Sequence, residues 1–139
     1  MIIITTCTVK IYNGNMANAR RKGIRVEQIK AKQIREAGFS ECITSREGSK
    51  LHDDAGVDFM NIPTYLQCKA GYARGINYTS LLDDLQHKTK KLKEKKPIAI
   101  LHVKDVGKGR KRRDVDDLII MTFEDYLILL HGYDKSLQG

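Results

Sequence analysis

The chain has no tryptophan, only two prolines and three phenylalanines, and no long apolar run. Each shortage excludes something. A membrane-spanning helix needs about 20 consecutive apolar residues, whereas the apolar runs here, such as the nearly all apolar Ile98 to Val103 and Leu118 to Met121, are far shorter. Cys7, Cys42 and Cys68 are odd in number and lack paired spacing, which argues against a disulfide framework and against a thiolate metal site. Reduced thiols packed as small hydrophobes are the expectation. Met1 to Thr6 is apolar but lacks the basic start and small-residue cleavage site of a secretory signal. The sequence therefore predicts a soluble, intracellular, cytoplasmic protein with no membrane partner. Repeats and low-complexity segments are missing too.

What is present fits one domain. At 139 residues, 41% hydrophobic and 30% charged, the chain can bury a real core but not two ordinary ones. Its net charge of +8 is concentrated: from Lys88 to Arg113, 12 Lys and Arg stand against 2 acids, a net of +10, which leaves −2 for the remaining residues. Such a cluster is the footprint of a polyanion partner, because each neutralised phosphate releases counterions. Lys88 to Lys96 alone reads equally well as a solvated helix face. Gly107 to Arg113 is a Gly-containing loop carrying Lys108, Arg110, Lys111, Arg112 and Arg113, and phosphate contact is expected of these five.

In chain order, Met1 to Tyr12 reads as a strand closed by the turn Asn13-Gly14-Asn15. Residues 1–15 are expected to be an accessory element, either an edge strand or a translated leader, ahead of a domain over 16–139. Ala17 to Ala37 is expected to be a helix stopped by Gly38. On a helical wheel Val26, Ala37, Ile34, Ala31 and Ile24 share an arc of roughly 160°, and Glu27 falls inside it. A carboxylate facing a core is costly unless it is paired or binds a cation; a Glu27–Lys30 pair is the bland explanation. Phe39 to Thr44 then reads as a strand. Ser45 to Lys50 reads as a polar loop, with Ser45, Arg46 and Lys50 as candidate phosphate contacts. His52-Asp53-Asp54 fits a turn better than a metal site, since no supporting ligand spacing accompanies it.

Val57 to Ile62 and Tyr65 to Ala70 are two β-prone runs separated by Pro63-Thr64, so a hairpin is expected. Alternation puts Gln67 and Lys69 on one face and Leu66, Cys68 and Ala70 on the other, with Asp58 the only acid of the first run. Gly71 to Tyr78 reads as a loop, with Tyr72 and Arg74 near the strand end as further DNA contacts. Ser80 and Asp83 form a capping box before a helix from Leu81 to about Lys95. Ile98 to Val103 is expected to be a buried central strand, Leu118 to Met121 its neighbour across the basic loop, and Phe123 to Leu130 a last helix capped by Thr122, with Phe123, Leu127 and Leu130 on one face. The tail from Gly132 is expected to fray. This order fits a mixed sheet flanked by helices, an α/β fold.

Glu27 from a helix, Asp58 from one strand, and Gln67 with Lys69 from the next form a candidate catalytic set. Two carboxylates and an amide oxygen suit Mg²⁺, and a lysine beside them can orient or deprotonate a water and offset charge on a scissile phosphate. The helix ending Ala37-Gly38-Phe39, the Ser45 to Ser49 segment, and Gly56-Val57-Asp58 followed by Leu66-Gln67-Cys68-Lys69-Ala70 closely resemble the PD-(D/E)xK nuclease superfamily, and within it the archaeal and viral Holliday-junction resolvases. The resemblance spans roughly residues 17 to 130 on short motifs. It implies a restriction-endonuclease-like fold, Mg²⁺ or Mn²⁺ as cofactor, and a basic homodimer that nicks two strands of a four-way DNA junction. By position it makes Glu27, Asp58 and Gln67 metal ligands together with the Cys68 backbone carbonyl, makes Lys69 the catalytic lysine, and sets Ser45 and Arg46 in a loop that approaches the DNA backbone. A virus-encoded source is compatible with it. Val57 stands where the motif name has proline. Gln67 stands where an acid is usual, and an uncharged ligand weakens metal affinity. The competing readings are another nuclease of this superfamily with a restriction, repair or viral DNA-processing task, and a non-catalytic nucleic-acid-binding module. A structural interaction protein accounts for neither Glu27 nor the basic loop.

Overall fold

The computed structural model describes residues 16–71, 76–104, 111 and 116–138, with side chains described between 20 and 132. The expected strand over 1–15, Tyr72, Arg74, and Lys108, Arg110, Arg112 and Arg113 of the basic loop lie outside the described residues; Lys111 is exposed.

Helix α1 runs from Met16 to Glu36. Its expected apolar arc is buried where it matters: Val26 and Ala31 enter the core and Ile34 packs against it, while Ala37, one residue past the helix, is exposed. Gly38 stops the helix at φ 122°, with Gly38 N–H donating to Arg35 O at 3.1 Å and Phe39 N–H to Ile34 O at 3.3 Å. This paired closure needs a left-handed residue, which glycine adopts without a Cβ penalty.

The segment after α1 differs from expectation. Only Ile43–Thr44 is a strand (β1), because Cys42 N–H turns back onto Phe39 O at 3.0 Å. The expected loop is two short helices, α2 (Ser45–Gly48) and α3 (Lys50–Asp54), so His52, Asp53 and Asp54 are helical. Ser49 caps α3 by accepting from His52 N–H at 3.3 Å, a backbone role of the kind Ser favours.

The expected hairpin also needs correction. β2 (Phe59–Met60) pairs antiparallel with β1, whereas β3 (Tyr65–Gly71) belongs to a second sheet. One backbone bond joins the two halves, from Asp58 N–H to Leu66 O at 2.9 Å. Between them Pro63 offers no N–H, Asn61 takes φ 67° while its amide donates to Glu41 O at 2.8 Å, and Ile62 O accepts from Lys96 Nζ at 3.1 Å. The connecting residues are tied to other partners and no regular ladder forms.

β3 pairs in parallel with β4 (Ile98–Lys104), and β4 pairs antiparallel with β5 (Asp117–Ile120), giving the order β3-β4-β5. Parallel neighbours require a crossover, supplied by α4 (Tyr78–Thr89). Asn77, not Ser80, caps α4, its side chain accepting from Ser80 N–H at 3.0 Å. α4 also ends earlier than expected, at Thr89, just where the lysine run begins; like charges one turn apart disfavour continuation. α5 runs from Phe123 to Gln138, past the expected Leu130, and Thr122 caps it through Asp125 N–H at 3.1 Å.

β4 is buried on both faces from Ile98 to Val103, which is why it reads as a nearly all apolar run. Ala99, Leu101 and Val103 join Leu66, Phe59, Ile62, Cys42 and the α1 residues Val26 and Ala31 in one cluster. Ile98 and Ile100 join Tyr65, Val57 and Ala55 with Leu82 and Leu85 of α4 in another. Each buried aliphatic chain contributes about 1.5–3 kcal/mol. The chain is thus a mixed α/β structure with two open sheets, the larger carrying α1 on one face and α4 on the other. No helix among the described residues is long and apolar enough to cross a membrane.

Candidate carboxylate site

The site forms at the edge of β3 that β4 does not cover. Asp58, just before β2, is fixed by three bonds: its N–H donates to Leu66 O at 2.9 Å, its carbonyl accepts from Ser45 N–H at 2.9 Å, and its Oδ2 accepts from Cys68 N–H at 2.7 Å. An extended residue directs its N–H and C=O to the same strand edge. The Cys68 carbonyl therefore leaves β3 on the side where Asp58 sits.

Glu27 arrives from α1. It is only 6% exposed, confirming a carboxylate on the buried arc, and its partner is Arg46 of α2, whose Nε donates to Oε2 at 2.9 Å and whose Nη2 reaches Oε1 at 3.5 Å. Lys30 turns elsewhere, to Asp117 of β5 and to Gln33 at 3.0 Å. The bland Glu27–Lys30 pairing is thus replaced by two pairs that bind α1 to α2 and to β5.

The electrostatics tie Glu27 to Asp58. Burial, then the negative charge of Glu27, push Asp58 up to about 7, against the pull of the Cys68 N–H and Arg46. Burial and the same two carboxylates drive the Cys68 thiol up to about 12, so it is a packing group, not a nucleophile. Arg46 is held firmly protonated, chiefly by its hydrogen bond to Glu27. Asp53 of α3 adds negative charge felt at both Asp58 and Arg46.

The other expected members are placed differently. Gln67 lies on the opposite face of β3 from the Cys68 side chain: its Nε2 sits 2.9 Å from where a Cβ on Gly56 would be, a position also 3.6 Å from Leu85 of α4. Lys69 is exposed, and its charge reaches the Cys68 thiol. Ser45 is fully enclosed and its Oγ has no partner among the described residues, so it offers no hydroxyl to a ligand at the surface. Lys50 is exposed. The structure brings Glu27, Asp58, Arg46 and the Cys68 backbone together, and it does not draw Gln67 to them.

Sequence reading missed His102. It interrupts β4, is fully buried, and is the ladder partner of Lys69. Its Nε2 lies 2.9 Å from Gly71 O and its Nδ1 2.9 Å from the Tyr78 hydroxyl. A carbonyl only accepts, so Nε2 carries the proton and, in the neutral ring, Tyr78 donates to Nδ1. The only sequence signal was a single histidine in an otherwise apolar strand.

Among the described residues no three His, Cys, Asp or Glu side chains gather as a metal cage. Mg²⁺ does not need one: it is held by one or two carboxylates plus waters. Two carboxylates whose charges oppose each other beside a strand edge fit that demand, and Glu27 and Asp58 are the residues able to meet it. Comparison with family models, curated proteins and solved structures returned no match.

Proposed function

We propose that the chain is a metal-dependent DNA endonuclease with a restriction-endonuclease-like core, acting on branched, four-way junctions. The observation that carries this reading is the buried Glu27 carboxylate placed so that its charge acts on Asp58, at the edge of β3 that carries Cys68 and Lys69. A core would reject such a pair, whereas a divalent cation relieves it.

In this reading Glu27 and Asp58 hold Mg²⁺ or Mn²⁺, with the Cys68 carbonyl as a neutral donor. The bound ion supplies Lewis-acid stabilisation of a phosphoryl oxygen and a more acidic water. Arg46 holds the Glu27 carboxylate in place and offsets charge while the site is empty of cation. Lys69 is exposed on the face of β3 that Gln67 shares, so it would assist the attacking water where the scissile phosphate wraps the strand edge. Gln67 enters only if its amide leaves the space under Gly56. The basic segment supplies backbone phosphate contacts.

Paired nicking of two opposed strands asks for a two-fold dimer. Supporting this, Phe123, Tyr126, Leu127 and Leu130 share one arc of α5 and are all 41% or more exposed, an apolar helix face of the kind that marks an interface. Phe123, Leu127 and Leu130, expected on one face of the helix, are thus all exposed.

The test is cleavage of a synthetic four-way junction beside linear duplex, flap and single-stranded DNA, with Mg²⁺ or with EDTA. Symmetric nicking of the junction alone is expected. Sequence-specific duplex cleavage would replace the junction reading with a restriction-type one, cleavage persisting in EDTA would overturn the metal dependence, and absent cleavage would leave a binding module.

A further inference from the structure

The lysine run does not continue α4. After Thr89 the chain turns, burying Leu92 in the α4-side cluster, and folds its lysines around a cleft of about 260 Å³ at the start of β3 and β4. Lys90, Lys95 and Lys96 line it with Gln86, Thr89 and Asp125. Between Lys88 and Lys96 there are six lysines and one acid, Glu94.

Two of these lysines are positioned by the fold. Lys96 is part-buried; its Nζ donates to Ile62 O at 3.1 Å, pairs with Glu94 at 3.1 Å, and lies 5.5 Å from the centre of the Tyr65 ring. The Tyr65 hydroxyl donates to Glu94 O at 2.6 Å and holds the turn against the sheet. Lys95 Nζ donates to Lys90 O at 3.3 Å. The acid lining the cleft is engaged as well, since Asp125 Oδ2 accepts from Ile98 N–H at 3.3 Å. A freely solvated charged face needs none of this ordering. Three lysines lining one cleft, with its acid tethered to a backbone N–H, make a seat for a phosphate oxyanion.

We infer that this cleft is a second phosphate seat, which takes a backbone phosphate of nucleic acid away from the carboxylate site. It rests on the nucleic-acid reading above but not on hydrolysis. Along β3 the cleft begins at Tyr65, three residues before Cys68 or about 10 Å at strand rise, and it lies on the α4 side of the sheet with Ile98, apart from the carboxylates.

The experiment is fluorescence anisotropy of a labelled 20-base-pair duplex against wild type and the double variant Lys90→Gln, Lys95→Gln, in EDTA, across 50–300 mM salt. EDTA makes the result independent of cleavage. Both residues are exposed, and thermal melting of the variant verifies its fold. Expected is a loss of about 3- to 10-fold in affinity near 0.1 M salt and a fall of about 1 to 2 in the slope of log K against log salt. Unchanged affinity and slope overturn the inference, as does a wild-type chain that binds no duplex. Calorimetry with ATP separates the sources: tight binding lost in the double variant, with duplex binding untouched, assigns the seat to a free nucleotide phosphate and overturns the backbone assignment.

Discussion

Replacing Asp58 with asparagine should make the metal-free protein more stable, and more so at higher pH. Asp58 titrates near 7 in the fold against 3.8 for its ordinary value, raised by burial and by Glu27. Between those values the folded chain holds a proton that the unfolded chain has released. Stability is therefore greatest below pH 4 and declines as pH rises toward 7. The cost reaches about 4 kcal/mol at pH 8 and about 2 kcal/mol at pH 5, at 1.36 kcal/mol per pKa unit. Because the two carboxylates are coupled, the titration belongs to the pair. Asp58→Asn keeps an oxygen for the Cys68 N–H and removes the charge. Urea denaturation of both proteins in EDTA at pH 5 and pH 8 reads the difference: the variant should gain about 2–4 kcal/mol at pH 8 and lose most of the wild-type pH slope. A variant less stable than wild type at pH 8, with the slope intact, would refute the claim that Asp58 is a strained carboxylate.

Three other outcomes follow from the same geometry. Lys69→Ala, at an exposed position, should abolish junction cleavage while leaving junction binding in EDTA unchanged; joint loss of both would assign Lys69 to DNA binding. Gly56→Ala places a Cβ at φ 82° and 2.9 Å from Gln67 Nε2, and should cost about 1–2 kcal/mol or more in urea denaturation; a neutral result would contradict the backbone conformation. Leu127→Glu together with Phe123→Glu, on side chains 48% and 73% exposed, should leave the fold intact by circular dichroism and turn a dimer into a monomer in sedimentation; a monomeric wild type contradicts the dimer directly.

Much of this architecture was legible locally. The buried run of β4, the Gly38 stop and the Thr122 cap are each decided within a few residues, by burial on both faces, by a left-handed closure and by a hydroxyl next to an open N–H. Glu27 was legible as an anomaly, because a wheel registers a carboxylate on an apolar arc whatever its partner. Its partner was not legible: Arg46 comes from a segment that reads as a loop, and only folding Ser45–Gly48 into a helix brings the guanidinium to the carboxylate. The hairpin failed for a related reason. Pattern alone shows two β-prone runs, but not that Asn61, Ile62 and Lys96 bond elsewhere and send β2 to a different sheet. Gln67 and Lys69 do alternate with Cys68 as a strand requires, yet alternation does not say which face holds the carboxylates.

The central claim is that Glu27 and Asp58 form a divalent-metal centre. The most direct measurement is calorimetric titration of Mn²⁺ into the wild-type chain and into Glu27→Gln and Asp58→Asn at pH 8. The account predicts a metal site in each wild-type chain that either substitution removes, with both variants still folded. Equal Mn²⁺ binding by all three proteins, or none by the folded wild type, would contradict it.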